Sequence, residues 1–173
     1  MKLFRAIKRR VVFFLVNKIY VGTRCFKRKR KLLNSIGFSI GEGTKVVGPI
    51  ICTGKLSVGK DTWIGKNFAV NGNGTVVIGD RCDIAPDVTF MTGGHEIGGS
   101  ERRAGKGQHF SQAVGNGVWV GGRVTIFNNV TIGDSCVIAG GACVVHDVLD
   151  NSLVGGVPAK IIRELKCDDR VTN

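Results

Sequence analysis

No apolar run in this chain approaches the roughly 20 residues that a bilayer crossing requires. The run Val11 to Val16 ends at Asn17 and Lys18. It is also too short for a secretory signal, and Arg24 to Lys31 make a poor cleavage flank. Acidic residues are missing from the first 31 positions, which hold twelve of the 25 lysines and arginines. The rest of the chain carries thirteen basic and thirteen acidic side chains, so the net charge of +12 belongs to the N-terminal arm. The six cysteines (25, 52, 82, 136, 143 and 167) form no CxxC pair. The three histidines, 95, 109 and 146, include no close pair either, and no ligand cysteine lies near the first two. Those absences argue against a metal centre and against a disulfide framework. Free, buried and inert cysteines fit a reducing cytosol, which makes the expected location cytoplasmic.

What is present is a period of six. Ile40, Val46, Cys52, Val58, Ile64 and Val70 are six apart; after a slip of two residues come Ile78, Ile84 and Phe90. After a longer break the phase resumes with Val114, Val120, Ile126, Ile132, Ile138 and Val144. Gly follows directly at 41, 59, 65, 79, 115, 121 and 133, and a small or apolar residue mostly stands two positions upstream. A helix repeats near 3.6 and a half-buried strand at 2, so neither alone gives six. A short strand plus a tight turn does, and stacking such units gives a parallel β-helix. Glycine suits the turns because it tolerates unusual backbone angles and leaves room. Three hexapeptides per triangular coil predict about five coils, a column roughly 24 Å long at about 4.8 Å per rung. Such a column needs its ends capped. Cys52, Cys82 and Cys136 fall in core slots, where a thiol behaves as a small hydrophobe.

The predicted organisation is a basic helical arm over 1–35, a solenoid over 36–166 with an excursion loop at 92–113, and a tail at 167–173. In the arm, Leu3, Phe4, Ile7, Val11, Phe14 and Leu15 are spaced to build one apolar helical face among basic clusters. Two readings stand side by side: a helix lying on an anionic membrane surface through residues 1–31, or a helix capping the open column. Nucleic acid is not expected, because the arm's aromatics are not placed as a stacking platform.

The lapse between Phe90 and Val114 is where chemistry is expected, since long excursions inside a compact domain are usually functional. It contains His95, set just after Gly93 and Gly94, and His109 near its end. Imidazole titrates nearest neutrality of the side chains and can take a hydroxyl proton, a role worth about 10²–10⁴ in rate. The alternative for His95 is a solvated loop residue, and His109 and His146 read as structural.

The ordered motifs Val77-Ile78-Gly79-Asp80, Ile84-Ala85-Pro86-Asp87-Val88-Thr89, Thr92-Gly93-Gly94-His95 and Val118-Trp119-Val120-Gly121-Gly122 resemble those of the hexapeptide-repeat acyltransferases. So do Ile132-Gly133-Asp134, Ile138-Ala139-Gly140-Gly141-Ala142 and Gly155-Gly156-Val157-Pro158-Ala159-Lys160-Ile161-Ile162-Arg163. Within that family the match is to sugar O-acetyltransferases of the galactoside and maltose type, over roughly residues 55–166. The resemblance implies a left-handed coil, a homotrimer with sites between subunits, and acetyl-coenzyme A as donor. It implies His95 as general base, Asn71 as an acceptor contact, and Trp119, Gly122, Gly140, Val145, His146, Lys160 and Arg163 along the coenzyme groove.

Val145-His146 stands where many relatives carry Thr-Lys, and the loop is basic at Arg102, Arg103 and Lys106. Arg102 and Arg103 are therefore candidate contacts to an acidic or phosphate-linked acceptor. The expected function is O-acetylation of a sugar of a cell-envelope polysaccharide or its lipid-linked precursor, by an enzyme peripheral on the inner face of the membrane. N-acetylation of an amino sugar, serine O-acetylation and a non-catalytic scaffold are the alternatives.

Overall fold

The computed structural model describes residues 2–166; the tail at 167–173, with Cys167, lies outside the described residues. A parallel β-helix of triangular section fills most of it, with three sheets as its faces. Face one is built from Ser39–Ile40, Lys55–Val58, Thr75–Ile78, Ser111–Val114 and Thr131–Ile132. Face two stacks Lys45–Val46, Trp63–Ile64, Asp83–Ile84, Trp119–Val120, Val137–Ile138 and Ser152–Gly155, and Lys160–Glu164 closes it by folding back antiparallel. Face three stacks Ile50–Cys52, Phe68–Asn71, Thr89–Met91, Thr125–Ile126 and Cys143–Val144.

All fifteen residues of the six-residue register are buried, and so are their partners two positions upstream from Val76 to Ala142. They form one continuous column, with Phe68 and Phe90 stacked across neighbouring coils at 5.6 Å. The coil count is about six, not five. Val148 bridges Ile132 and Val154 pairs Ile138, which makes a sixth rung. The register shortens there, with Val148 four residues after Val144, and so a strict period of six loses it.

The glycines that directly follow the register residues act through space and not through backbone angle. Gly79 keeps an ordinary φ, but a Cβ on it would stand 2.6 Å from the carbonyl oxygen of Gly115 on the next coil. The left-handed turn falls two residues later, on Arg81 at φ +54. Cys82 and Cys136 are donors as well as filler: their thiols reach the carbonyls of Gly115 and Leu149 at 3.0 Å. Burial pushes both thiols up from their ordinary value and pushes Cys52 up to about 11. Low thiolate content makes them poor nucleophiles.

The arm caps the open end of the column. Helix α1 (Lys2–Phe14) runs into a wider π-helical turn at Leu15–Ile19, and α2 (Phe26–Asn34) follows. An open sheet edge presents unpaired N–H and C=O groups, and each face finds a partner in the arm. Asn34 bonds both the N–H and the C=O of Ile40 on face one, at 2.8 and 3.0 Å. Asn17 does the same for Ile50 on face three, at 2.9 and 2.8 Å. Beside face two, the carbonyl of Val47 accepts from Gly22 N–H and from the Lys29 ammonium. Val12, Val16 and Leu33 extend the core beneath the helices.

Candidate active site

Thr92, fully buried, roots the excursion. Its N–H and hydroxyl both reach the carbonyl of Asn71, its hydroxyl accepts from Gly74 N–H, and its carbonyl accepts from Phe110 N–H. Between those anchors the chain is a β-hairpin and not an irregular loop: Gly93–Ile97 pairs antiparallel with Ala104–His109. The coil resumes at Ser111, opposite Thr75, earlier than the boundary expected from the apolar phase.

His95 lies near the hairpin's root, paired with Gly107, and its Nδ1 stands 2.9 Å from the carbonyl oxygen of Gly105. A carbonyl only accepts, so Nδ1 carries the proton, and in the neutral ring Nε2 is left with the lone pair. Gly93 pairs with His109 in the same ladder. Paired residues share a face and alternate residues return to it, so His95 and His109 lie on one face of the ribbon, each opposite a glycine. A cleft of about 340 Å³ beside them is lined by Gly72, Asn73, Gly93, Gly94, His95, Gly107, Gln108 and His109.

Asn71 ends its strand opposite Met91 and does not line this cleft; Asn73, two residues on, does. Arg102 and Arg103 sit at the hairpin's far tip, both exposed, with Arg103 Nη1 bonded to the carbonyl of Gly98. By strand rise, that tip is roughly 13 Å along from the register of His95. His109, structural by sequence alone, and Asn73 both line the cleft. Only the hairpin register gives His109 its place beside His95, and the Asn71-Gly72-Asn73-Gly74 turn is the signal that offered Asn73.

The remaining candidates occupy other parts of the triangle. Lys45, Trp63, Asp83, Trp119, Val137, Leu153 and Arg163 form one row across face two. Trp119 and Arg163 are thus three strands apart on one surface, roughly 14 Å. Lys160 lies on the same closing strand. Gly122 and Gly140 stack on the corner between faces two and three, where Gly141 N–H bonds the carbonyl of Gly122 at 2.8 Å. That corner presents bare backbone to an approaching chain.

Val145 and His146 follow face three and share a corner of the triangle with Asn71 and the hairpin. That corner is the vertex opposite face two. One protomer therefore holds His95 on one side of the column and Trp119, Lys160 and Arg163 on the other. Among the described residues no group of three or more His, Cys, Asp or Glu could hold a metal ion.

No family model matches the chain. It is 35% identical over 150 residues to galactoside O-acetyltransferase of Escherichia coli (strain K12), spanning 83% of this chain and 72% of that protein. The solved structure of a galactoside acetyltransferase in complex with coenzyme A superposes with a TM-score of 0.81 at 27% identity, covering 94% of this chain and 81% of that one. A hexapeptide-repeat acetyltransferase from Vibrio cholerae O1 biovar eltor, complexed with acetyl-coenzyme A, superposes with a TM-score of 0.82 at 28% identity over 95% of this chain and 88% of that one.

Proposed function

The chain belongs to the hexapeptide-repeat acetyltransferases, the family of galactoside O-acetyltransferase, and we propose that it moves the acetyl group of acetyl-coenzyme A to a sugar hydroxyl with His95 as general base. It is a left-handed β-helix enzyme that uses acetyl-coenzyme A as co-substrate. The observation that carries the assignment of His95 is its Nδ1 bond to the carbonyl of Gly105, which leaves Nε2 as the acceptor beside the cleft.

His95 Nε2 takes the proton of the acceptor hydroxyl as that oxygen attacks the thioester carbonyl carbon. When the tetrahedral intermediate collapses, the C–S bond breaks and the imidazolium returns its proton to the departing thiolate. The acetyl ester and the free thiol are the products, and the imidazole is again neutral. His109, on the same face, is placed to hydrogen-bond the acceptor.

The donor groove follows from the row on face two. Val145 and His146 stay at the His95 vertex, whereas Trp119 offers an exposed ring, Lys160 and Arg163 offer charge for phosphates, and Gly122 and Gly140 let the pantetheine arm approach backbone. Because those groups and His95 lie on opposite sides of one column, the working site is completed by a second copy, in a homotrimer. The basic hairpin tip at Arg102, Arg103 and Lys106 and the acid-free arm favour an acidic or phosphate-linked acceptor, as in a precursor of an envelope polysaccharide.

The test is to offer acetyl-coenzyme A with matched neutral and phosphate-linked sugars, including amino sugars, and to locate the acetyl group by mass spectrometry. An O-linked acetyl, formed faster on the phosphate-linked sugar, is expected. Exclusive N-acetylation, or no sugar product at all, overturns the reading.

A further inference from the structure

Helix α1 turns a second apolar face to solvent. A helix on a globular body normally buries its apolar stripe and shows its charges. Here the inward face carries Arg9, whose guanidinium bonds the carbonyl of Cys52 at 2.6 Å and lies over the rings of Phe13 and Phe38 at 5.1 and 5.3 Å. Val12 and Val16 are buried beside it. Leu3, Phe4, Ile7, Val11 and Phe14 are turned to solvent, at 73, 73, 51, 51 and 58% exposure. At about 100° per residue those five fall within an arc of about 100° centred opposite the packed face. Ile19 and Val21 continue the exposed apolar surface beyond the π-helical turn.

We propose that this outer face of α1 is a docking surface for an anionic lipid bilayer, on which the helix lies flat. Charge selects the occupant. Arg10 and Lys18 border the apolar stripe, Arg24, Lys27, Arg28 and Lys31 extend the exposed basic surface, and the first acid in the chain is Glu42. A second copy of the arm would bring like charges together, whereas anionic headgroups neutralise them. No described helix is long and apolar enough to cross the membrane, so the attachment is interfacial. Because α1 packs on Ile50–Cys52 of face three and the His95 hairpin leaves face three two rungs further on, roughly 10 Å, docking keeps the cleft near the lipid surface. The inference rests on the arm alone and stands apart from the catalytic assignment.

The experiment uses the full chain with two vesicle types, phosphatidylcholine alone and phosphatidylcholine with about one third phosphatidylglycerol. Sedimentation is compared for wild type, for Phe4→Ser/Ile7→Ser/Phe14→Ser, and for Arg10→Gln/Lys18→Gln, with circular dichroism and light scattering on each. Wild type is expected to bind the anionic vesicles selectively. Both variants should lose roughly tenfold or more in partitioning, with helix content and molecular mass unchanged. Equal binding by the triple serine variant overturns the proposal, and so does equal binding of wild type to both vesicle types. A changed mass in the triple variant also overturns it, because the face would then be a contact between copies.

Discussion

His95 and His109 face the same way from neighbouring strands of one hairpin, the first across from Gly107 and the second across from Gly93. Only His95 has its ring fixed by a backbone carbonyl. The two imidazoles are therefore expected to separate kinetically. His109→Ala should raise KM for the acceptor several-fold while leaving most of kcat, because it removes a contact and not the base. Steady-state kinetics with the acceptor varied checks this; a loss in His109→Ala as deep as that in His95→Ala would reassign the base.

Under the proposed function Arg163 and Trp119 serve the donor. Replacing Arg163 with Gln should weaken coenzyme A binding by roughly tenfold or more, the scale of a lost hydrogen bond to a charged group. Acceptor KM should stay near its original value. Calorimetric titration with coenzyme A reads the effect, and unchanged affinity removes Arg163 from the groove.

Asn17 and Asn34 each close two backbone groups at the open end of the coil. Truncating either to Ala should cost about 1–3 kcal/mol, because partly buried donors and acceptors lose their partners. Urea unfolding measures it. Changes within about 0.5 kcal/mol for both, the usual range for surface substitutions, would show that the arm holds the edge by packing alone.

Lys29, on α2 of the arm, is fully buried and donates to the carbonyls of Gly22 and Val47. Burial lowers its pKa from 10.5 to about 8, with nearby Cys25 opposing the shift. Between those two values the unfolded chain binds more protons than the folded one, so stability rises with pH across that window. The Tm of wild type should gain on that of Lys29→Met from about pH 7.5 to about pH 10, since the variant lacks this titration while sharing the others. A constant difference would mean that Lys29 does not change its charge there.

Much of the coil was legible because burial there is periodic and local: every one of the fifteen register residues is in the core. The sixth rung was not, because Val148 arrives two residues early. Neither was the hairpin. Gly93, Gly94, Gly98, Gly105 and Gly107 carry no side chains to alternate, so the ladder that pairs Gly93 with His109 leaves no period of two to find. The orientation of α1 ran against its own pattern, since Arg9 packs inward while Phe4 and Ile7 face out. Sequence periodicity shows that a face exists, not which side meets the body. For the site, His95 could be named from a motif, but its partner Gly105 and its neighbours His109 and Asn73 depend on a register that only the folded chain sets.

Acetyl transfer by His95→Ala tests the account most directly, with thiol release followed from acetyl-coenzyme A and a sugar acceptor. The variant should bind coenzyme A and hold the same oligomeric state as wild type, while kcat falls by about 10²–10⁴. A variant that binds the donor normally and turns over at the wild-type rate would contradict the assignment of His95 as the base.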